Sequence, residues 1–115
     1  MLKWLLHFFT RKKTLKSVPM SRVFTDGAGR NWLADLENYG VDYPLFPQEA
    51  IETPSGNRYF LLSIQKDGVE QFMICMQPAS DRAKIHPVSI ATTNLDATQI
   101  KMAQLVIADK NSSNT

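Results

Sequence analysis

The residues of this chain that could do nucleophilic chemistry lie close together in one stretch of the sequence. Asp81 and His86 are five residues apart, with Ser80 and Ser89 beside them. An aspartate that orients a histidine, which then activates a serine hydroxyl, is an arrangement used for nucleophilic catalysis. Here the spacing is generic, and a turn-capping aspartate beside a loop histidine explains it better. We therefore predict that the protein is not an enzyme.

Metal and cofactor chemistry has little support in the sequence. The chain has two histidines and one cysteine, and no CxxC, HxxxH or HExxH spacing. Because a metal site needs several such ligands at workable spacing, we expect no metal and no cofactor. Cys75 lies in an apolar run over residues 72–76. A thiol buried among apolar groups has a raised pKa and is unreactive, and a lone cysteine excludes an intrachain disulfide.

A short glycine motif, Gly-Ala-Gly-Arg at residues 27–30, precedes a predicted helix. Backbone amides at a helix start can attract phosphate. However, the third glycine of a dinucleotide fingerprint is missing, and no Lys-Ser or Lys-Thr pair follows for a Walker loop. The motif therefore indicates a turn.

The proline-rich segment of residues 43–47, Tyr-Pro-Leu-Phe-Pro, is the best candidate for a binding loop. Its prolines stiffen the backbone, and rigid exposed aromatic residues make good interface anchors. The alternative is that its side chains tuck under the loop and close the core. Acidic residues near the loop would fit a basic partner. The predicted partner-binding set is Tyr43, Leu45, Phe46, Asp42, Glu49 and Glu52, with Asp35 and Glu37 adding to the acidic face.

The first sixteen residues place an apolar aromatic block against a basic cluster. Residues 1–23 hold six basic residues and no acidic one, whereas the rest of the chain holds seven basic and eleven acidic residues. An amphipathic helix is predicted here, and such a helix can lie on a membrane surface. Its candidate membrane-surface residues are Trp4, Leu5, Phe8, Phe9, Arg11, Lys12 and Lys13.

The apolar runs in this segment are too short for a secretory signal or a spanning helix. Its aromatic and basic residues are segregated and the remaining body is acidic, so nucleic-acid binding is not expected. The predicted location is cytoplasmic, with peripheral attachment at the inner face of a membrane as the alternative.

A central β-hairpin is the element that must position these residues. Asp67-Gly68 separates two β-rich runs at residues 58–66 and 69–77, and Asp-Gly between such runs predicts a two-residue turn. That turn fixes the register, so that Phe60 faces Cys75 and Tyr59 faces Met76. Apolar residues then occupy both faces of the hairpin, and each face needs a cover.

Further elements complete an α+β prediction: one small domain with an antiparallel sheet flanked by helices. Strands are predicted at residues 22–25, 49–53 and 85–91, with Pro87 at a sheet edge. Helices are predicted at residues 31–39 and 95–108, the second with a Thr93–Asp96 capping box. Residues 17–20 and 41–48 are predicted as connections. The expected organisation is an amphipathic helix at 1–16, a domain at 20–110 and a disordered tail at 111–115.

We interpret the chain as a non-catalytic protein-binding module, such as a small intracellular inhibitor, an immunity-type protein or an adaptor. The alternative is a peripheral membrane accessory protein anchored by residues 1–16. The apolar residues of that segment could instead cover the second face of the hairpin.

Overall fold

The computed structural model describes residues 15–27 and 43–113. The elements in chain order are β1 (Lys16–Pro19), α1 (Met20–Asp26), β2 (Tyr43–Leu45), β3 (Glu49–Glu52), β4 (Arg58–Lys66), β5 (Val69–Gln77), β6 (His86–Pro87) and α2 (Leu95–Ser113). Several predictions fall outside the described residues: the candidate membrane-surface residues from Trp4 to Lys13, the helix at 31–39, and the acidic residues Asp35, Glu37 and Asp42.

The described strands form one antiparallel sheet, so the α+β class is confirmed. The strand order is β1-β3-β4-β5-β6, and β2 pairs with β4 on the same edge as β3. The short β6 lies at the other edge, as predicted from Pro87, which lacks a backbone N–H to donate to a further strand.

The central hairpin has the predicted register, with Phe60 opposite Cys75 and Tyr59 opposite Met76. Asp67 and Gly68 both have positive φ, 55° and 77°, as a type I′ turn requires. This turn matches the right-handed twist of the strands, so nine residue pairs follow without a bulge.

Two apolar clusters cover the two faces of the sheet. On one face, Phe60 and Leu62 are buried with Met20 and Val23 of α1. On the other face, α2 packs against the sheet and buries Met102, Val106 and Ala103 there with Leu15, Ile51, Tyr59 and Ile74. The predicted need for cover on both faces is therefore confirmed, and α2 supplies one cover as expected.

The N-terminal part of the described chain differs from its prediction. Residues 17–20, predicted as a connection, mostly form β1, in which Ser17 pairs with Ile51. Residues 22–25, predicted as a strand, belong to α1. Met20 and Val23 are three residues apart and both buried, so tertiary packing on one helix face outweighs the β preference of Val23 and Phe24. Leu15 and Lys16 belong to the core and to β1, so the predicted amphipathic segment does not extend to residue 16.

Helix α2 begins with a different cap and ends later than predicted. The Asn94 side chain, not Thr93, accepts from the Ala97 amide at 2.9 Å, so the predicted capping box is wrong. Asparagine is a strong N-cap residue, and its position one residue later matches the observed start at Leu95. The helix runs to Ser113, so residues 111–113 of the predicted tail are helical.

Two predicted segments flanking the hairpin also change. Residues 41–48 contain β2, and the strand predicted at 85–91 is reduced to His86–Pro87 plus a bridge at Thr92. The Ile74 amide donates to the Ser89 hydroxyl at 2.9 Å rather than to a backbone carbonyl. This side-chain acceptor interrupts the backbone ladder between β5 and the edge.

Replacing Gly56 with alanine is expected to destabilise the fold by about 2–3 kcal/mol, against about 1 kcal/mol for Gly68→Ala. Both glycines have positive φ, 90° and 77°, which strains any other residue. A Cβ at Gly56 would also lie 2.8 Å from the Ala79 Cβ, whereas one at Gly68 meets nothing within 4 Å. Urea unfolding of both variants measures the difference, and equal losses would contradict a steric role for Gly56.

Candidate functional site

An exposed leucine marks the candidate binding surface. Leu45, in β2, is 56% exposed and lies opposite Ser63 of β4. Ser63 lies opposite Phe72 of β5, which forms a bridge to Thr92. Directly opposed residues of antiparallel strands point to the same face. We call these four residues, Leu45, Ser63, Phe72 and Thr92, the open row.

The open row lies on the face that α2 covers, but beside the helix rather than beneath it. The helix starts just after Thr92, and near its end Asp109 accepts a hydrogen bond from Tyr59 at 2.6 Å. Its buried side chains Met102 and Val106 share a cluster with Tyr59, at the start of β4. Phe72 and Ser63 are only half-buried. The helix therefore leaves the part of the face nearer the hairpin turn accessible.

Acidic side chains lie next to the open row. Glu70 is exposed and accepts from the Ser63 hydroxyl at 3.2 Å. Glu49 is also exposed, and it lies two residues before Ile51 in β3, hence on the same face. It accepts from the Ser17 hydroxyl at 2.7 Å. An apolar centre with acidic neighbours is complementary to an apolar side chain flanked by basic groups.

The structure separates the predicted partner-binding residues. Leu45 and Glu49 lie on the open face, whereas Phe46 turns inward and contacts Phe24 edge-to-face at 5.1 Å between ring centroids. Phe46 also packs on Phe60, as the tucked-under alternative expected for this residue. Tyr43 is placed by its backbone pairing with Gln65. Asp42 lies outside the described residues.

Glu52 belongs to a charged network at the opposite end of the sheet. It accepts from Arg58 Nε at 2.8 Å, and Arg58 also donates to Asp26 at 2.7 Å and to Gln77 at 3.0 Å. Burial disfavours the charged form of Arg58, but the hydrogen bonds and charges of Glu52 and Asp26 outweigh it and raise its pKa. The partly exposed Arg82 lies 3.8 Å from Glu52. These charges hold α1 to the sheet.

A second polar cluster joins the end of α2 to the turn between β3 and β4. Asp109 accepts from Thr53 at 2.8 Å and Ser55 at 2.5 Å through one oxygen, and from Asn57 at 2.9 Å and Tyr59 at 2.6 Å through the other. Burial would raise the pKa of Asp109, but these four donors outweigh it and lower the pKa. The pKa of Tyr59 is raised by burial and by its bond to Asp109. The cluster therefore fixes the end of α2 to the turn between β3 and β4.

The candidate catalytic residues make local contacts in the described part of the chain. Asp81 accepts from the Ala83 amide at 3.1 Å, a turn-capping contact. Ser89 accepts from Ile74 and donates to the Ile90 carbonyl at 3.3 Å, and His86 lies in β6. Cys75 is buried, and burial raises the pKa of its thiol to about 12, in agreement with the predicted unreactive state.

A shallow groove occupies the other face of the hairpin, with a volume of about 340 Å³. It is lined by Ile64, Lys66, Gln71, Met73, Pro87, Ser89, Ile90 and Ala91. Val69, at the start of β5, is 47% exposed and pairs with Lys66 beside this groove. Since it lies on the opposite face from Leu45, Val69 provides a matched reference for the open row.

Sequence reasoning did not place Ser63, Phe72 and Glu70 on the candidate binding surface. The hairpin register already placed Ser63 opposite Phe72, so that half of the open row was available from the Asp-Gly turn. The pairing of β2 with β4 had no local signal, because proline-rich segments predict irregular structure.

Comparison of the chain with protein-family models, curated proteins and solved structures gives no significant match. Within residues 15–27 and 43–113, neither helix is long and apolar enough to cross a membrane. The same described residues contain no cluster of three or more histidine, cysteine or acidic side chains suited to holding a metal ion.

Proposed function

We propose that the protein acts by direct contact with another protein through the open row. The partner presents an apolar side chain flanked by basic groups. The exposure of Leu45, in the same row as the half-buried Phe72 and separated from it by Ser63, is the observation that carries the proposal. An inhibitor, an immunity-type protein and an adaptor in the cytoplasm all act through such a surface without chemistry of their own.

The backbone around Leu45 supports this role because it is ordered before binding. Leu45 lies in a strand paired with β4, and Pro44 and Pro47 flank it. Proline fixes the φ angle, so little conformational freedom remains to be lost on association. The conformational entropy that is still lost on binding is then mainly that of the Leu45 side chain itself.

Replacing Leu45 with lysine is expected to weaken partner binding at least tenfold. Burial of a leucine side chain contributes about 1.5–3 kcal/mol, which corresponds to roughly a 10- to 100-fold change in affinity. The new positive charge would also repel a basic partner. The measurement is affinity capture from native lysate with the tagged full-length protein, quantified by mass spectrometry.

Val69→Lys is the matched control, because it introduces the same charge at a similarly exposed site on the opposite face. The proposal expects one protein to be captured equally by wild type and Val69→Lys but lost with Leu45→Lys. Capture that survives Leu45→Lys and is lost with Val69→Lys would assign binding to the groove face instead. Identical capture by all three proteins would exclude both the open row and the groove face as the binding surface.

Attachment to a membrane surface through residues such as Trp4 and Arg11 stays the second hypothesis, based on the composition of the first sixteen residues. Leu15 is buried in the cluster beneath α2, so a truncation must retain Leu15 to leave the core intact. If this hypothesis holds, removal of residues 1–14 should abolish membrane attachment, and circular dichroism of the truncated protein shows whether it still folds.

A further inference from the structure

Each strand at an edge of the sheet contains one proline. In the part of the chain that the structure describes, β1, β2 and β6 each pair with a single neighbouring strand. Pro19 lies in β1, Pro44 in β2 and Pro87 in β6, whereas the other three prolines of the chain lie outside the strands. Proline has no backbone N–H, so its orientation in an edge strand decides what that edge can bind.

The backbone nitrogen of Pro19 faces away from the sheet. In an antiparallel pair, the backbone groups of successive residues face the neighbouring strand and the opposite side in turn. The Met20 amide donates to the carbonyl of Gln48, its opposite residue in the β1–β3 register, at 2.9 Å. Pro19, one residue earlier, therefore faces outward. The strand β1 keeps one outward-facing N–H, that of Ser17.

Pro87 has the same orientation at the other edge of the sheet. The Val88 amide donates to the Ile74 carbonyl of β5 at 2.8 Å, so the residue before it faces away from β5. The strand β6 consists of only His86 and Pro87, and the backbone groups of His86 face β5. Hence β6 offers no outward-facing N–H.

Pro44 faces outward from β2. Phe72 exchanges backbone hydrogen bonds with Thr92, at 2.7 and 3.0 Å, so its backbone groups face away from β4. The backbone groups of Ser63, opposite Phe72, therefore face β2, and those of Leu45 face Ser63 in return. Pro44 precedes Leu45 and so faces away from β4. It is the only outward-facing residue of this three-residue strand, and β2 therefore offers no outward-facing N–H either.

We propose that Pro19, Pro44 and Pro87 protect the sheet against the addition of a strand from a second copy of this chain. A bare strand edge is a template for pairing with another chain, and proline at the edge is one way to prevent it. Symmetry doubles the effect in β2, because two copies paired about a two-fold axis at Pro44 would both lack the N–H that the pair requires. This role of the prolines does not depend on binding at the open row.

Replacing Pro44 with threonine tests the proposal, because threonine restores the N–H and is favourable in strands. Two copies paired at this position would gain two hydrogen bonds, so the association constant should rise at least about fivefold over wild type. Pro87→Thr should raise association in the same way at the opposite edge. Sedimentation velocity of the full-length proteins over a concentration series measures both.

Pro54→Thr is the matched control, because Pro54 is exposed in the turn between β3 and β4, outside the strands. Its association should equal that of wild type, and urea unfolding of each variant establishes that it is folded. A rise for Pro54→Thr as large as that for Pro44→Thr would overturn the proposal. Wild-type association in both Pro44→Thr and Pro87→Thr would also overturn it.

Amide hydrogen exchange shows whether the restored N–H takes part in the association. In Pro44→Thr, the amide at position 44 should exchange more slowly as the protein concentration rises, because it becomes hydrogen-bonded between two chains. If this variant associates while exchange at that amide is independent of concentration, the association arises elsewhere in the chain and the protective role of Pro44 is wrong.

Discussion

Replacing Arg58 with methionine is expected to lower the free energy of unfolding by about 3–5 kcal/mol, the largest effect of any single change considered. Breaking a buried ion pair by removing one partner typically costs this amount. Arg58 is only 5% exposed and donates to Glu52, Asp26 and Gln77. Methionine fills much of the arginine stem but leaves these acceptors without their donor.

The consequence extends beyond one residue because Gln77 is itself fully buried. Its amide donates to the Val23 carbonyl at 2.9 Å and the Arg82 carbonyl at 2.7 Å. Loss of Arg58 therefore loosens the contact between α1 and the sheet as well as the charge pairs. Urea unfolding followed by circular dichroism measures the free energy lost.

Arg82→Met is the matched control for this prediction. Arg82 is partly exposed, and its nearest acidic contact is Glu52 at 3.8 Å. Its main hydrogen bond, to the Gly56 carbonyl at 2.7 Å, should be worth about 1–2 kcal/mol. If Arg58→Met and Arg82→Met lowered the free energy of unfolding equally, burial would not explain the contribution of the Arg58 network to stability.

Replacing Asp109 with alanine is expected to cost about 3 kcal/mol at neutral pH. The carboxylate is the shared acceptor for four side chains, among which Thr53 and Tyr59 are buried. Each buried donor left without an acceptor costs about 1–3 kcal/mol, and the helix end loses its attachment to the β3–β4 turn. Alanine favours the helix itself, so the loss is not one of helix propensity.

The same variant should show an altered pH dependence. Because the pKa of Asp109 is lowered in the folded state, its contribution is fully present above the pKa that the carboxyl has when unfolded. That contribution is lost as the pH falls through the folded-state pKa. The difference in unfolding free energy between wild type and Asp109→Ala should therefore shrink progressively on acidification.

Asp67→Asn is the control for removal of one carboxylate. Asp67 is exposed in the hairpin turn, where asparagine is equally favourable at positive φ. The unfolding free energy of the Asp67→Asn variant should therefore stay close to that of wild type at neutral pH, whereas that of Asp109→Ala falls. A constant difference for Asp109→Ala from neutral to acidic pH would contradict the role of its ionised form.

The parts of the fold that could be predicted are those with strong local signals. Asp67-Gly68 fixed a turn with only one favourable register, and the alternation of side chains then assigned Phe60 and Tyr59 to opposite faces. The apolar spacing in α2 similarly predicted a helix that covers one of them. In these elements, local preference and tertiary packing favour the same structure.

The parts that could not be predicted depend on contacts between distant segments. The β-prone residues of α1 become helical because Met20 and Val23 meet a core built mainly from later strands. Arg58, Asp26 and Gln77 give no local indication that they meet in one buried network. Of the candidate site, Leu45 was predicted, but its neighbours in the open row required the pairing of β2 with β4.

The position of Cys75 gives the molecule an internal reporter of its own unfolding. This thiol lies in the middle strand pair, packed in the cluster that contains Phe60 and Leu62. A thiol reagent can reach it only when that cluster opens, since the Cys75 side chain is 1% exposed in the folded chain. The labelling rate of this single site in an otherwise cysteine-free chain therefore follows the population of molecules in which the cluster around Phe60 and Leu62 is open, without any added probe.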